Sequence, residues 1–154
     1  MAHNIVLDTL REHRQEIGEE LQQASALVAQ CQEEIEHRRA SLKNTKEQAD
    51  WAAYEDDRTQ AHYIVLLEHY NGLGEKPQVL LAQITTLQAE QSKTAGNRRH
   101  TSAIAQQRQQ GLGEAESRLA VAEQNFTLIQ KALQEITTHI QRVQWGDYTV
   151  PSVG

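Results

Sequence analysis

The sequence has little of several residue types, and each scarcity narrows what the chain can be. Only one cysteine occurs in 154 residues, so an internal disulfide is impossible, which fits a reducing compartment. Aromatic residues make up 5% of the chain, and the common residues are Gln, Glu, Ala, Arg and Leu. This composition is typical of long helices and coiled coils rather than of layered sheet proteins. The sequence therefore predicts an all-α fold.

An excess of basic charge and long apolar runs are also missing. The formal net charge is −6 and no sustained run of Lys or Arg occurs, which argues against nucleic-acid binding through phosphate contacts. The longest purely apolar run, IVLL at 64–67, is too short to cross a bilayer, and the N-terminus lacks the pattern of a signal peptide. We therefore expect no membrane insertion and a cytoplasmic or virion-associated location.

What the sequence does contain is two heptad patterns. Steps of alternately four and three residues lead from Leu10 to Tyr70, and the same steps lead back from Val143 to Leu80. This spacing keeps one face of each helix, here called the seam, against a partner helix. The sequence thus predicts a long antiparallel helical hairpin over 1–143.

The predicted turn of this hairpin is the segment EHYNGLGEKPQV at 68–79. Asn71, Gly72 and Gly74 are candidates for a left-handed C-cap, and Pro77 suits the first turn of a following helix. The arms are expected at about 3–70 and 77–143, with the turn at 71–76. Folding the chain there pairs residues whose numbers add to 146 or 147.

This predicted register sets large residues opposite large ones and polar residues opposite polar ones. At the polar middle it pairs Asp56 with Gln91 and Thr45 with Thr101. Further predicted pairs are Leu10 with Ile136, Leu21 with Phe126, Cys31 with Ala115, Arg38 with Arg108 and Ala49 with Arg98.

The polar middle also permits an alternative fold. NTKE at 44–47 resembles a capping box, and TAGNRRHTSA at 94–103 contains a Gly-Asn pair suited to ending a helix. In the alternative, both arms break near 44–50 and 95–102, and the inner hairpin folds back to give a four-helix bundle. The unbroken heptads favour the hairpin, whereas Gly96, Gly111 and Gly113 favour the bundle.

Apolar residues outside the seam mark the candidate protein-interaction surface. They are Trp51, Tyr54, Ala61, Ile64 and Val65. Monomers seldom expose such clusters, so we expect a partner helix, a second copy or the folded-back hairpin to cover them. The nearby acids Asp50, Glu55, Asp56 and Asp57 face Arg98 and Arg99 in the predicted hairpin. We interpret this arrangement as local charge pairing.

The heptad pattern stops after Val143, and QWGDYTVPSVG at 144–154 is predicted to be an extended tail. Its candidate docking residues are Trp145, Tyr148, Val150 and Val153. Such a tail is suited to adding a strand to the sheet edge of a neighbouring protein.

Residue types that support catalysis or metal binding do not converge in the predicted hairpin. Glu34 and His37 form one ExxH pair, whereas a di-metal helical bundle needs two such pairs and two more glutamates. Cys31 occupies a seam position, where a small buried thiol is expected. The two GLGE segments lack the lysine ending of a phosphate loop. We therefore expect no enzymatic activity, no metal, no cofactor and no small-molecule substrate.

The sequence favours a role exerted through other proteins. The leading hypothesis is a non-enzymatic structural or adaptor subunit of a larger assembly, a helical strut with a docking tail, such as a phage virion neck, tail or core component. Its expected partners are other protein subunits, including further copies of itself. The alternative is a coiled-coil escort, chaperone or stalk protein of a secretion or export apparatus. In outline, the chain resembles the antiparallel coiled-coil stalk proteins associated with flagellar and type III export ATPases.

Overall fold

The computed structural model describes residues 2–146, with side chains from residue 4 onward. Helix α1 spans Ala2–Gly72 and helix α2 spans Gln78–Gln144, and these two long helices pack against each other. No strand occurs among the described residues. The prediction of an all-α fold is confirmed, and the two helices are those of a helical hairpin.

Both helices are continuous through the segments where the bundle alternative required breaks. Residues 44–50 are helical within α1, and residues 95–102 are helical within α2. The capping-box and Gly-Asn signals at these segments therefore do not end a helix. Seam packing on both sides of each segment outweighs these local signals, because tertiary contacts override weak end preferences.

Contacts between residues divide the chain into two compact units. Unit 1 comprises Met1–Ile35 with Glu114–Gly154, and unit 2 comprises Glu36–Gly113. In unit 1 the main core cluster consists of Leu7, Ile136, Ile140 and Val143, with Leu10, Ile17 and Leu133 packed against it. In unit 2 the buried apolar residues are Leu42, Ala52, Ile84, Leu87 and Leu112.

The buried positions follow the seams that the heptads predict. Every buried residue is a seam position, except Leu7, which lies one step before the first seam begins. The seam positions that remain exposed are all arginines, namely Arg14, Arg38, Arg98 and Arg108. A long arginine stem can cover apolar surface while its guanidinium reaches water, so these exceptions agree with seam packing.

The connection between the helices differs from the predicted turn. Asn71 and Gly72 are still helical, and neither Gly72 nor Gly74 has a positive φ, so the predicted left-handed cap is wrong. The Leu73 amide instead donates to the Tyr70 carbonyl at 3.2 Å, which closes the last turn tightly. Pro77 lies just outside α2, where its carbonyl accepts a bond from the Leu81 amide at 3.3 Å.

The later position of this connection in the chain explains why the predicted register is wrong by about three residues. Because α1 runs two residues further and α2 begins one residue later than expected, each residue of α1 meets a residue further along α2. Thr94, rather than Gln91, donates a hydrogen bond to Asp56 at 3.0 Å. Arg108, rather than Thr101, reaches Thr45.

A left-handed glycine does occur, at the other end of α2. Gly146 has a φ of 76°, and its amide donates to the Val143 carbonyl at 3.2 Å. Glycine adopts this conformation without the steric cost that a Cβ brings, so it is a frequent C-cap. The seam pattern and α2 therefore end together.

Candidate protein-interaction surface

The five residues predicted to interact with a partner form one exposed surface on α1, here called the aromatic stripe. Its members are Trp51, Tyr54, Ala61, Ile64 and Val65. Trp51 is 63% exposed, Tyr54 56%, Ile64 43% and Val65 62%, and Ala61 is exposed as well. All five lie in unit 2. The structure thus brings these predicted residues together, and whether a partner covers them stays a prediction.

The aromatic stripe lies on the outer side of α1 because its neighbours in sequence occupy the seam. Ala52 is 3% exposed and Asp56 is 7% exposed, which turns this side of the helix toward α2. Residues 51, 54, 58, 61 and 65 fall on the opposite side, since a helix has 3.6 residues per turn. They repeat at steps of three and four, so the outer side of α1 carries a second heptad pattern.

Trp51 and Tyr54 stack on each other at the start of the stripe. Their ring centroids are 5.5 Å apart and their planes are 25° from parallel. An offset stack of this kind fixes both side chains relative to the helix. The two rings therefore present a preformed flat apolar surface, and a partner need not order them on binding.

Beneath the stripe, the seam of unit 2 contains a charged network centred on Asp56. The Asp56 carboxylate accepts hydrogen bonds from the Thr94 hydroxyl at 3.0 Å and from Arg98 at 3.3 Å. Arg98 also donates to Asp57 at 2.8 Å. The pKa of Arg98 is raised above its ordinary value, mainly by its hydrogen bond to Asp56 and next by its hydrogen bond to Asp57. The predicted local charge pairing is confirmed for Arg98.

A second polar layer of the same unit contains the other two seam arginines. Arg108 donates to the Thr45 hydroxyl, and that hydroxyl donates in turn to the Ser41 carbonyl at 2.9 Å. The Arg38 guanidinium lies 2.9 Å from the place where a Cβ on Gly111 would stand. Gly111 therefore leaves room for the Arg38 guanidinium. The Arg38 guanidinium thus lies at Gly111 and that of Arg108 at Thr45, rather than at one level as the predicted register implied.

The remaining residues singled out in the sequence, namely the ExxH pair, Cys31 and the tail residues, do not form one site in the structure. Glu34 pairs with Arg118 at 2.9 Å, whereas His37, its partner in the ExxH motif, is exposed. Cys31 is buried at 8% exposure, as predicted for a seam thiol. Trp145 is 71% exposed just before the end of the described chain. Tyr148, Val150 and Val153 lie outside the described residues.

The predicted register missed Thr94 and Arg108 as partners of the α1 seam, although the pairing of Arg98 with the acids of α1 was expected. The signal that could have corrected the register is the charge pattern itself. A register three residues further along α2 brings Arg98 closer to Asp56 and Asp57 than the predicted pairing of Ala49 with Arg98 does.

Three further findings concern membrane spans, metal-binding groups and similarity to known proteins. Between residues 2 and 146, no helix has a stretch long and apolar enough to span a bilayer. The same part of the chain holds no group of three or more His, Cys, Asp or Glu side chains placed to share a metal ion. No family model, curated protein or solved structure matches the chain.

Proposed function

We propose that this chain is a non-enzymatic structural or adaptor subunit of a larger protein assembly, such as a phage virion neck, tail or core component. The observation that carries the proposal is the aromatic stripe. A cluster of two aromatic and two large aliphatic side chains, each more than two-fifths exposed, is unusual on a monomer and marks a protein contact.

The second heptad pattern on α1 supports a helical partner for this surface. A strand or an irregular loop would not follow residues that repeat at steps of three and four, whereas a helix packs along them in the manner of a coiled coil. The paired helices thus act as a scaffold with one side of α1 offered to another subunit. Trp145 and the tail residues beyond it serve as the second docking element.

The surroundings of the stripe support a binding role over catalysis. Glu55, Arg58 and His62 are exposed, so water screens their charges. Enzymes instead place their reactive groups in a desolvated cleft, where charge interactions are strong. The charged residues here are suited to steering a partner into register rather than to chemistry.

Site-specific photocrosslinking in the protein's native cells or particles tests the proposal. A photoreactive residue in place of Tyr54 or Val65 is expected to give discrete adducts with one or a few proteins. The same residue in place of Val121, which is 66% exposed and lies outside the stripe, is the matched control and is expected to give none. Equal labelling at all three positions, or no adducts at any, would contradict the proposed role.

A further inference from the structure

The aromatic stripe is bulky and is flanked by acidic side chains. Trp51, Arg58 and Val65 are spaced seven residues apart along α1, with Tyr54 and Ala61 between them. The exposed acids of the same stretch are Glu47, Asp50, Glu55, Asp57 and Glu68, and the stretch contains one arginine, Arg58, one histidine, His62, and no lysine. The outer side of α1 therefore combines large side chains with negative charge.

The outer side of α2 in the same unit has the opposite character. Ala82, Ala89, Gly96 and Ala103 repeat every seven residues, away from the seam positions. We call these four the small-residue stripe. From residue 91 to residue 113 the sequence contains no Asp or Glu, and Lys93, Arg99 and His100 are exposed there. The outer side of α2 therefore combines small side chains with positive charge.

The two stripes have the same period and complementary sizes. When a second α2 packs antiparallel on the stripe with Trp51 over Gly96, residues whose numbers add to 147 lie opposite each other. In that register Arg58 lies over Ala89 and Val65 over Ala82, whereas Tyr54 lies over Lys93. In the register with Trp51 over Gly96, Asp50 lies beside Arg99, so the charges also match.

We propose that a second copy of this chain covers the aromatic stripe with its own small-residue stripe. The inference rests on the proposed function, because it names the partner of the structural subunit. Negative charge around the stripe would repel a second aromatic stripe, so a contact between two identical surfaces is disfavoured. The contact is instead heterologous, so a pair of copies keeps one unused aromatic stripe and one unused small-residue stripe. Copies therefore add side by side into a ring or an open filament.

The size of the stripe sets the strength of a single contact. Given that a fully covered aromatic side chain buries about 150–250 Å², the exposed part of the stripe amounts to roughly 400 Å² per copy. With a similar area buried on the second copy, the contact totals roughly 800 Å², below the value of about 1,000 Å² that a specific interface usually reaches. We expect weak, micromolar association of pairs, which repetition along a ring or filament strengthens.

Sedimentation velocity of the full chain over roughly a hundredfold range of concentration tests the inference. Wild type is expected to form species larger than a dimer as concentration rises. Gly96→Ala and Gly96→Gln are the matched pair, because a Cβ at Gly96 meets no atom within 4 Å and both residues favour a helix over glycine. Association should survive in Gly96→Ala and weaken at least tenfold in Gly96→Gln, which cannot fit beneath Trp51.

A mixing experiment tests the heterologous geometry. Val65→Asp disables the aromatic stripe and Gly96→Gln disables the small-residue stripe, so each variant alone should stay monomeric. Their equimolar mixture should form dimers and nothing larger, since each variant retains the surface that the other lacks. Val121→Asp, on an exposed position of unit 1, is the control and should associate like wild type. Added salt should weaken all association.

Several results would overturn this inference. They are a wild type that stays monomeric throughout, equal association of the two Gly96 variants, and a mixture without dimers. The proposed function survives each of them if photocrosslinks at Tyr54 identify a different protein. Absence of those crosslinks together with self-association would instead remove the adaptor role and leave the contact between copies.

Discussion

Replacing Asp56 by leucine tests whether the charged network of unit 2 stabilises the fold or only selects its register. Asp56 is 7% exposed and occupies a seam position. Leucine has the same number of side-chain heavy atoms and the same branching as aspartate. The substitution therefore changes the chemistry of the site while keeping the branching of the side chain, although two methyl groups are bulkier than two carboxylate oxygens.

The expected change in the free energy of unfolding depends on which hydrogen bonds the partners of Asp56 retain in the variant. Thr94 retains its hydrogen bond to the Gln91 carbonyl at 3.1 Å, and Arg98 retains Asp57 at 2.8 Å, so neither is left without a partner. The lost hydrogen bond from Thr94 ends on a charged carboxylate and is worth about 1.5–3 kcal/mol. Burying leucine contributes about 1.5–3 kcal/mol. We expect the free energy of unfolding of Asp56→Leu to fall within about 1 kcal/mol of wild type or above it.

Two further variants complete the comparison. Asp56→Ala lacks the buried leucine side chain and is expected to be about 2 kcal/mol less stable than Asp56→Leu. Arg98→Met leaves the Asp56 carboxylate with the Thr94 hydroxyl as its remaining hydrogen-bond donor of these two and with no arginine to balance its charge. This variant should therefore be less stable than Asp56→Leu. The double variant Asp56→Leu/Arg98→Met should recover the stability that Arg98→Met alone loses.

The assay is urea denaturation, monitored through tryptophan fluorescence. Trp51 lies in unit 2 and Trp145 in unit 1, so a Trp145→Phe background makes the signal report on the unit that contains Asp56. Low protein concentration keeps association of copies from contributing. If Asp56→Leu proves as unstable as Arg98→Met, the bonds from Thr94 and Arg98 outweigh leucine burial and the reasoning fails.

Three further predictions concern the helices themselves. Gly96→Ala should raise the free energy of unfolding by about 0.5–1 kcal/mol, because alanine favours a helix over glycine. Gly111→Ala should raise it by less, because the new Cβ would lie 2.9 Å from the Arg38 guanidinium. Urea denaturation of the two variants checks this, and equal increases would contradict it. Ile140→Ala, in the core of unit 1, should cost about 2–5 kcal/mol, while Val121→Ala should cost under about 0.5 kcal/mol in the same circular dichroism assay. Gly146→Ala should cost about 1 kcal/mol in the last turn of α2 because of its positive φ, and unchanged amide exchange there would count against it.

The sequence was sufficient to predict nearly all of the buried residues, with Leu7 as the exception. The 3.5-residue period depends only on side-chain polarity, and polarity decides which side of a helix turns away from water. Leu42, Ala52, Leu87 and Leu112 were therefore assigned to the seam from spacing alone, and all are buried. The exposure of the aromatic stripe follows from the same period, because those residues are out of phase with the seam.

The register was not predictable with the same accuracy, because it depends on where each helix ends. Gly72 was predicted as a left-handed cap and Pro77 as the start of the second helix. Gly72 is instead the last residue of α1 without a positive φ, and Pro77 lies just before α2. Errors at the two ends add, since every residue of α2 shifts along α1 by their sum. Asp56 was consequently paired with Gln91, although Thr94 is its partner.

The single thiol of the chain has a practical consequence. Cys31 is buried on the seam of unit 1, so a thiol reagent reaches it only when that part of the helices separates. Its labelling rate under native conditions therefore measures the frequency of local opening. No second cysteine competes for the reagent. Thiol labelling of the wild-type chain thus measures local opening of its coiled coil, without any substitution or attached probe.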